Sequence, residues 1–122
     1  MAIDFIYDNA SEILIVTISG QLDMAALQIA AQKLTSSNEF PSNVNTIYDM
    51  TKMDFSNITT EFEENVILFR KQLDRGDAKI ACVTPTDLGF GMGRMYEVLS
   101  DKLPQQVRVF RTFEEAKDWV QY

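Results

Sequence analysis

The chain has 122 residues, 46% of them hydrophobic, a size at which one compact domain buries roughly two-thirds of its unfolded surface. Eleven Lys and Arg against eighteen Asp and Glu leave a formal charge of -7, which repels phosphate-rich partners, so neither nucleic acid nor anionic membrane is an expected partner. Histidine is absent and Cys82 stands alone, which excludes Ser-His-Asp and Cys-His nucleophile pairs, His-bearing zinc sites and an internal disulfide. A single domain over residues 1–122, in a reducing cytoplasm, is the expectation. Residues 1–8 alternate apolar and acidic side chains, unlike a signal peptide. The apolar stretch 13–18 is far short of the roughly 18 residues that cross a bilayer, so no membrane insertion is expected.

The period-two pattern of Ile3, Phe5 and Tyr7, turn residues at 9–11 and the β-branched run 13–18 predict an antiparallel hairpin, with Gly20 ending its second strand. Met24, Leu27, Ala31 and Leu34 then recur at helical spacing, and 44–50 is the next strand. Thr60 and Glu63 spell a T-x-x-E capping box, with Thr60 as the N-cap. Phe62, Val66, Phe69 and Leu73 continue that helix, Arg70, Lys71 and Arg75 oppose its dipole, and Gly76 stops it. Residues 79–84 form a buried strand, Leu88, Met92, Met95 and Leu99 mark a third helix, and 106–110 a last strand. Thr112 with Glu115 repeats the capping box before Ala116, Trp119 and Val120. The resulting order, β-β-α-β-α-β-α-β-α, predicts an α/β fold: a mixed five-stranded sheet covered by four helices.

Several patterns carry possible chemistry. Gly89, Gly91 and Gly93 open a helix after a strand, where backbone N-H groups can hold phosphate, but the spacing G-x-G-x-G is not that of a dinucleotide fingerprint. Three glycines inside one helix cost about 2 to 3 kcal/mol against alanine, so either part of 86–91 is loop or Gly89 and Gly93 admit a close neighbour. Asp49 closes an apolar strand and Asp54 follows it, each readable as a site carboxylate or as a loop brace. Met24, Met50, Met53, Met92 and Met95 can line an adaptable pocket or fill ordinary core. Cys82, between Ala81 and Val83, reads as an inert buried thiol.

Gly20-Gln21-Leu22-Asp23 resembles the G-x-L-D signature of STAS domains, the fold of the anti-sigma-factor antagonist SpoIIAA. The strand with Asp49, the segment Gly91-Met92-Gly93-Arg94-Met95-Tyr96, and the tail Val107-Arg108-Val109-Phe110 with Glu114, Glu115, Ala116 and Trp119 look like the SpoIIAA-like branch, also called STAS/SEC14-like. The resemblance spans roughly residues 3–120. It implies a regulatory module switched by a kinase at Asp-Ser-Ser-Gly, but Asn57-Ile58-Thr59-Thr60 stands at that place here, so the usual phosphoswitch motif is missing and Thr59 and Thr60 are the candidate phosphoacceptors.

The expected function is a small cytoplasmic, non-enzymatic regulatory or protein-interaction module. Its working surface is the segment 51–60 with the start of the third helix, carried by Asp49, Asp54, Ser56, Thr59, Phe90, Gly91, Met92, Arg94 and Tyr96. The alternative is a carrier or sensor of a small apolar or lipid-like ligand, as the SEC14-like name implies, with Phe90, Met92, Met95 and Tyr96 lining a cleft. No catalytic residue, metal or cofactor is expected, because no paired, functionally spaced carboxylates are recognisable. A homodimer through Ile67 and Leu68 is left open.

Overall fold

The computed structural model describes residues 2–121; Met1 and Tyr122, the ends of the expected domain, lie outside the described residues. Strand β1 (Ala2–Asp8) turns back on β2 (Ile13–Gln21) as an antiparallel hairpin. Asp8 braces the turn by accepting from Ala10 N at 3.0 Å and from the Ser11 hydroxyl at 2.9 Å. Strands β3 (Asn45–Asp54), β4 (Lys79–Val83) and β5 (Gln106–Phe110) add parallel to β2, in the spatial order β1-β2-β3-β4-β5. Among the described residues four helices connect and close them: α1 (Met24–Ser36), α2 (Thr60–Arg70), α3 (Asp87–Leu99) and α4 (Phe113–Gln121). The expected α/β order and the mixed five-stranded sheet are both present.

Each β-α-β unit from β2 onward steps to the adjacent strand in the same direction, and right-handed crossovers then place every connecting helix on one face of the sheet. Leu14, Val16 and Ile18 on that face pack with Leu22 and with Leu34 of α1, while Phe62 of α2 and Met92 of α3 join the same cluster. Helix α4 follows the last strand and turns to the other face, where Ala116 and Val120 meet Ile13, Ile47, Ala81 and Val83. Trp119 packs on Phe110 at 5.7 Å between ring centres. Asn45 donates to Val120 O and Lys79 to Trp119 O, which pins the end of α4 to the sheet.

Four expected boundaries are corrected. Strand β2 continues through Gly20 to Gln21, and β3 continues with it to Asp54, because the register slips at Thr17/Ser19 and pairing resumes as Ser19 with Lys52, Gly20 with Met53 and Gln21 with Asp54. Asp49 is therefore in mid-strand. The N-cap of α2 is Thr59, whose hydroxyl accepts from Phe62 N at 3.0 Å, so Thr60 is the first helical residue. The helix ends at Arg70, well before Gly76, and Arg75 is buried instead of facing the helix dipole: it donates to Ser42 O, Val44 O and Thr46 Oγ1 at 2.6 to 2.8 Å.

All three glycines of α3 are helical, with Thr86 capping through Gly89 N at 3.0 Å. The expected inner stripe is corrected too: Leu88 and Met95 are exposed, whereas Gly89, Met92, Gly93 and Tyr96 face the sheet side. A Cβ on Gly93 would overlap Val109 of β5, and one on Gly89 would lie 3.0 Å from Phe55 and from Thr84. Glycine lets α3 settle onto β5 at backbone distance, while α1 and α2 stay further from the strands.

Candidate functional site

The difference in height between these helices leaves a partly enclosed cavity of about 130 Å3 between the helical layer and the middle of the sheet. That is comparable to the ~150 Å3 apolar cavity known to hold benzene. Its walls are mostly apolar. Phe55, Phe62 and Phe69 with Tyr48 and Tyr96 supply rings, Met50, Met53 and Met92 supply thioethers, and Ile18, Leu27 and Val66 supply branched chains from three elements. Of the five methionines singled out by the sequence, Met24 and Met95 lie off this wall.

The two ends of the cavity differ. At the end beneath the N-terminal edge of the parallel strands, the Arg70 guanidinium donates to Tyr96 Oη at 3.0 Å, Ser100 Oγ at 2.8 Å and Gln105 Oε1 at 3.1 Å. Gln105 in turn donates to Gly76 O at 2.9 Å. This network joins α2, the end of α3 and the approach to β5, so it closes that end. Burial pushes the Tyr96 phenol up, against the Arg70 charge, so it stays a neutral acceptor for Arg70.

At the other end are Glu63 and Thr84. Because Thr59 and not Thr60 caps the helix, Glu63 is one position too late to reach back to the cap, and its side chain turns inward instead, 5% exposed. Glu63 Oε1 and Thr84 Oγ1 are buried without a hydrogen-bond partner among the described residues, and both line the cavity. Burial pushes the Glu63 carboxyl up to about 7. Cys82, on the same wall, is an unreactive thiol whose pKa burial pushes up to about 12.

All but one of the residues proposed from sequence separate into four environments. Met92 and Tyr96 line the cavity. Asp54 and Ser56 form a turn, Asp54 accepting from Ser56 N at 2.9 Å while Gln21 donates to Ser56 Oγ at 3.0 Å; the Ser56 amide holds the Asp54 carboxyl below its ordinary pKa. Thr59 is the helix cap, and Thr60 is exposed beside it. Phe90 lies under the Arg111 guanidinium at 4.4 Å, Arg94 pairs with Glu97 at 3.3 Å, and Gly91 faces open space. Asp49 is brought to none of these. It shares a face with Ile47, towards α4, and its carboxylate accepts from Thr51 N at 3.1 Å and Thr51 Oγ1 at 2.7 Å. Phe55 and the start of α3 do meet at one edge of the sheet, as Gly89 shows.

Sequence reasoning missed Glu63 and Thr84 as cavity residues. The capping-box spacing gave Glu63 a plausible external task, and a threonine closing a buried strand has no signal of its own.

The architecture has a solved counterpart. An uncharacterized protein of the DUF3478 family from Shewanella loihica PV-4, with a SpoIIAA-like fold, superposes with a TM-score of 0.59 over 98% of this chain and 92% of its own, at 15% identity. The fold is SpoIIAA-like. No protein-family model and no curated protein matches the chain by sequence. Among the described residues, no group of three or more Asp, Glu, Cys or His side chains is placed to hold a metal ion, and no helix is long and apolar enough to cross a membrane. In a SpoIIAA-like sheet whose strands are added in one direction there is no topological switch point, so the usual crevice of open α/β sheets is lacking. The space between helices and sheet is a partly enclosed site that this arrangement provides.

Proposed function

We propose that this SpoIIAA-like domain is a non-enzymatic binding module that carries or senses a small apolar molecule. The observation behind this reading is the 130 Å3 cavity with aromatic, methionine and aliphatic walls. Apolar space of that size gains from being filled, since its lining atoms lack dispersion partners on one side. Methionine walls adapt to the shape of what fills them. Asp49 and Asp54, the carboxylates the sequence offered for a site, accept from the nearby Thr51 and Ser56 amides and do not line the cavity. Native mass spectrometry of protein purified gently from its host tests the proposal. A reproducible non-covalent adduct of small mass, lost on unfolding, is expected; bare protein that is also not stabilised by any apolar probe overturns it.

A protein-interaction role in a cytoplasmic regulatory system is the second reading, supported by one feature. Leu88, Met95 and Val98 are 56%, 43% and 72% exposed and follow one another along the outer face of α3. Light scattering and pull-down with Val98→Glu separate this reading from the first, because the substitution is remote from the cavity. Loss of a recovered partner supports the interaction role; unchanged composition of the eluate opposes it.

A further inference from the structure

We propose that the cavity selects a compact apolar molecule bearing one neutral hydroxyl, which donates a hydrogen bond to Glu63 Oε1 and accepts one from the Thr84 hydroxyl. This rests on the reading of the cavity as a ligand site and adds the ligand's polar chemistry to it.

Two side-chain oxygens, on residues 5% and 1% exposed, lack partners among the described residues and line an otherwise apolar space. Buried polar groups are paired in the great majority of cases, and an unpaired one costs about 1 to 3 kcal/mol. The two oxygens belong to the same end of the cavity. Thr84 directly follows β4, and Glu63 is in the first turns of α2, just beyond the end of β3. The charge of Glu63 also acts on Cys82, two residues before Thr84.

The donor and acceptor capacities decide the ligand class. A carboxyl oxygen accepts, and a threonine hydroxyl both donates and accepts, so a hydroxyl group satisfies one of each. An anionic head would have to be buried in an apolar space beside a carboxyl that offers it no positive charge, and a cation would require that carboxyl to ionise there, which burial disfavours. At the far end, the polar groups around Arg70 are already engaged with one another, so the rest of the molecule meets rings, thioethers and aliphatic chains. The volume limits the carbon body to about the size of a substituted benzene.

The test compares 4-methylphenol with p-xylene, which replaces the hydroxyl by a methyl group at nearly constant shape. Affinities for the intact chain are measured by calorimetry and by amide chemical-shift titration. In the wild type both bind. In Glu63→Met and in Thr84→Val the ratio of phenol to xylene affinity falls about tenfold, the usual effect of one lost hydrogen bond, while xylene binding persists. Glu63→Gln retains the acceptor and keeps the ratio. Thr84→Val is nearly isosteric, and xylene binding reports an intact cavity in each variant. An unchanged ratio with xylene still bound overturns the hydroxyl proposal and leaves the cavity as a ligand site. Failure of both probes to bind the wild type overturns both readings together.

Discussion

At the scale of single residues, Glu63 has the largest consequence. Its carboxyl is raised from 4.5 to about 7 by burial, so between those values the folded chain holds a proton that the unfolded chain has released. Stability contributed by this group is thus greatest at low pH, falls as pH rises through that window, and the full penalty remains above it. The shift corresponds to something on the order of 3 kcal/mol. Glu63→Gln has no proton to lose. It is expected to change stability little near about pH 4.5 and to raise it by about 2 kcal/mol near about pH 8, as measured by urea unfolding at both values. Parallel pH profiles for the two proteins would contradict this. Glu63 also shows why part of the site was illegible: T-x-x-E can be read from Thr60, yet the fold caps at Thr59, and one residue of offset turns a surface glutamate into a buried one. Asp49 failed for a related reason. Its place at the end of an apolar run looked terminal, but pairing with the extended end of β2 carries β3 five residues further.

Among the elements, α3 shows how packing overrides periodicity. Hydropathy singled out Leu88, Met92, Met95 and Leu99, but glycine has no hydropathy signal, and the face that meets the sheet is built on Gly89 and Gly93. The last two glycines of the motif predict opposite outcomes. Gly91→Ala adds a methyl group in open space and is expected to stabilise by about 0.5 to 1 kcal/mol through helix propensity. Gly93→Ala gains the same propensity but drives its methyl into Val109, whose β-branched side chain cannot rotate away, and is expected to destabilise by about 1 to 3 kcal/mol. Thermal or urea unfolding of both variants checks the sign; destabilisation by both, or by neither, would remove the packing explanation of the motif. The better-marked elements needed no such correction. Asp23 caps α1 and Thr112 with Glu115 opens α4, because a cap is a local interaction between residues only a few apart.

For the whole molecule, the monotonic strand order puts three helices on one face and α4 alone on the other. The core is consequently uneven. β2, β3 and β4 are covered on both sides, with Leu14, Ile47 and Ala81 at 0% exposure, while α2 closes over the cavity and exposes Leu68 on its outer side. Amides of β2–β4 are expected to exchange with solvent only on global unfolding, and those of α2 through a smaller local opening that also admits ligand. Native-state hydrogen exchange under increasing denaturant tests this. A bound apolar probe should slow α2 selectively, since it stabilises only the closed state. Equal protection of α2 and β3 in the free protein would show that the cavity is not the weak point.

What the sequence determined by itself is what depends on near neighbours and on composition: alternating strands, amphipathic helices, most caps, the order of elements, and the exclusion of histidine and disulfide chemistry. What only the tertiary structure decided depends on registers and distances between remote segments. The slip between β2 and β3, the approach of α3 to Val109, and the meeting of Glu63 with Thr84 in one apolar space each join residues far apart in the chain. A cavity is the volume that packing leaves unfilled, so no single segment encodes it. It arises because glycines draw one helix down onto the sheet while bulkier neighbours hold the others away.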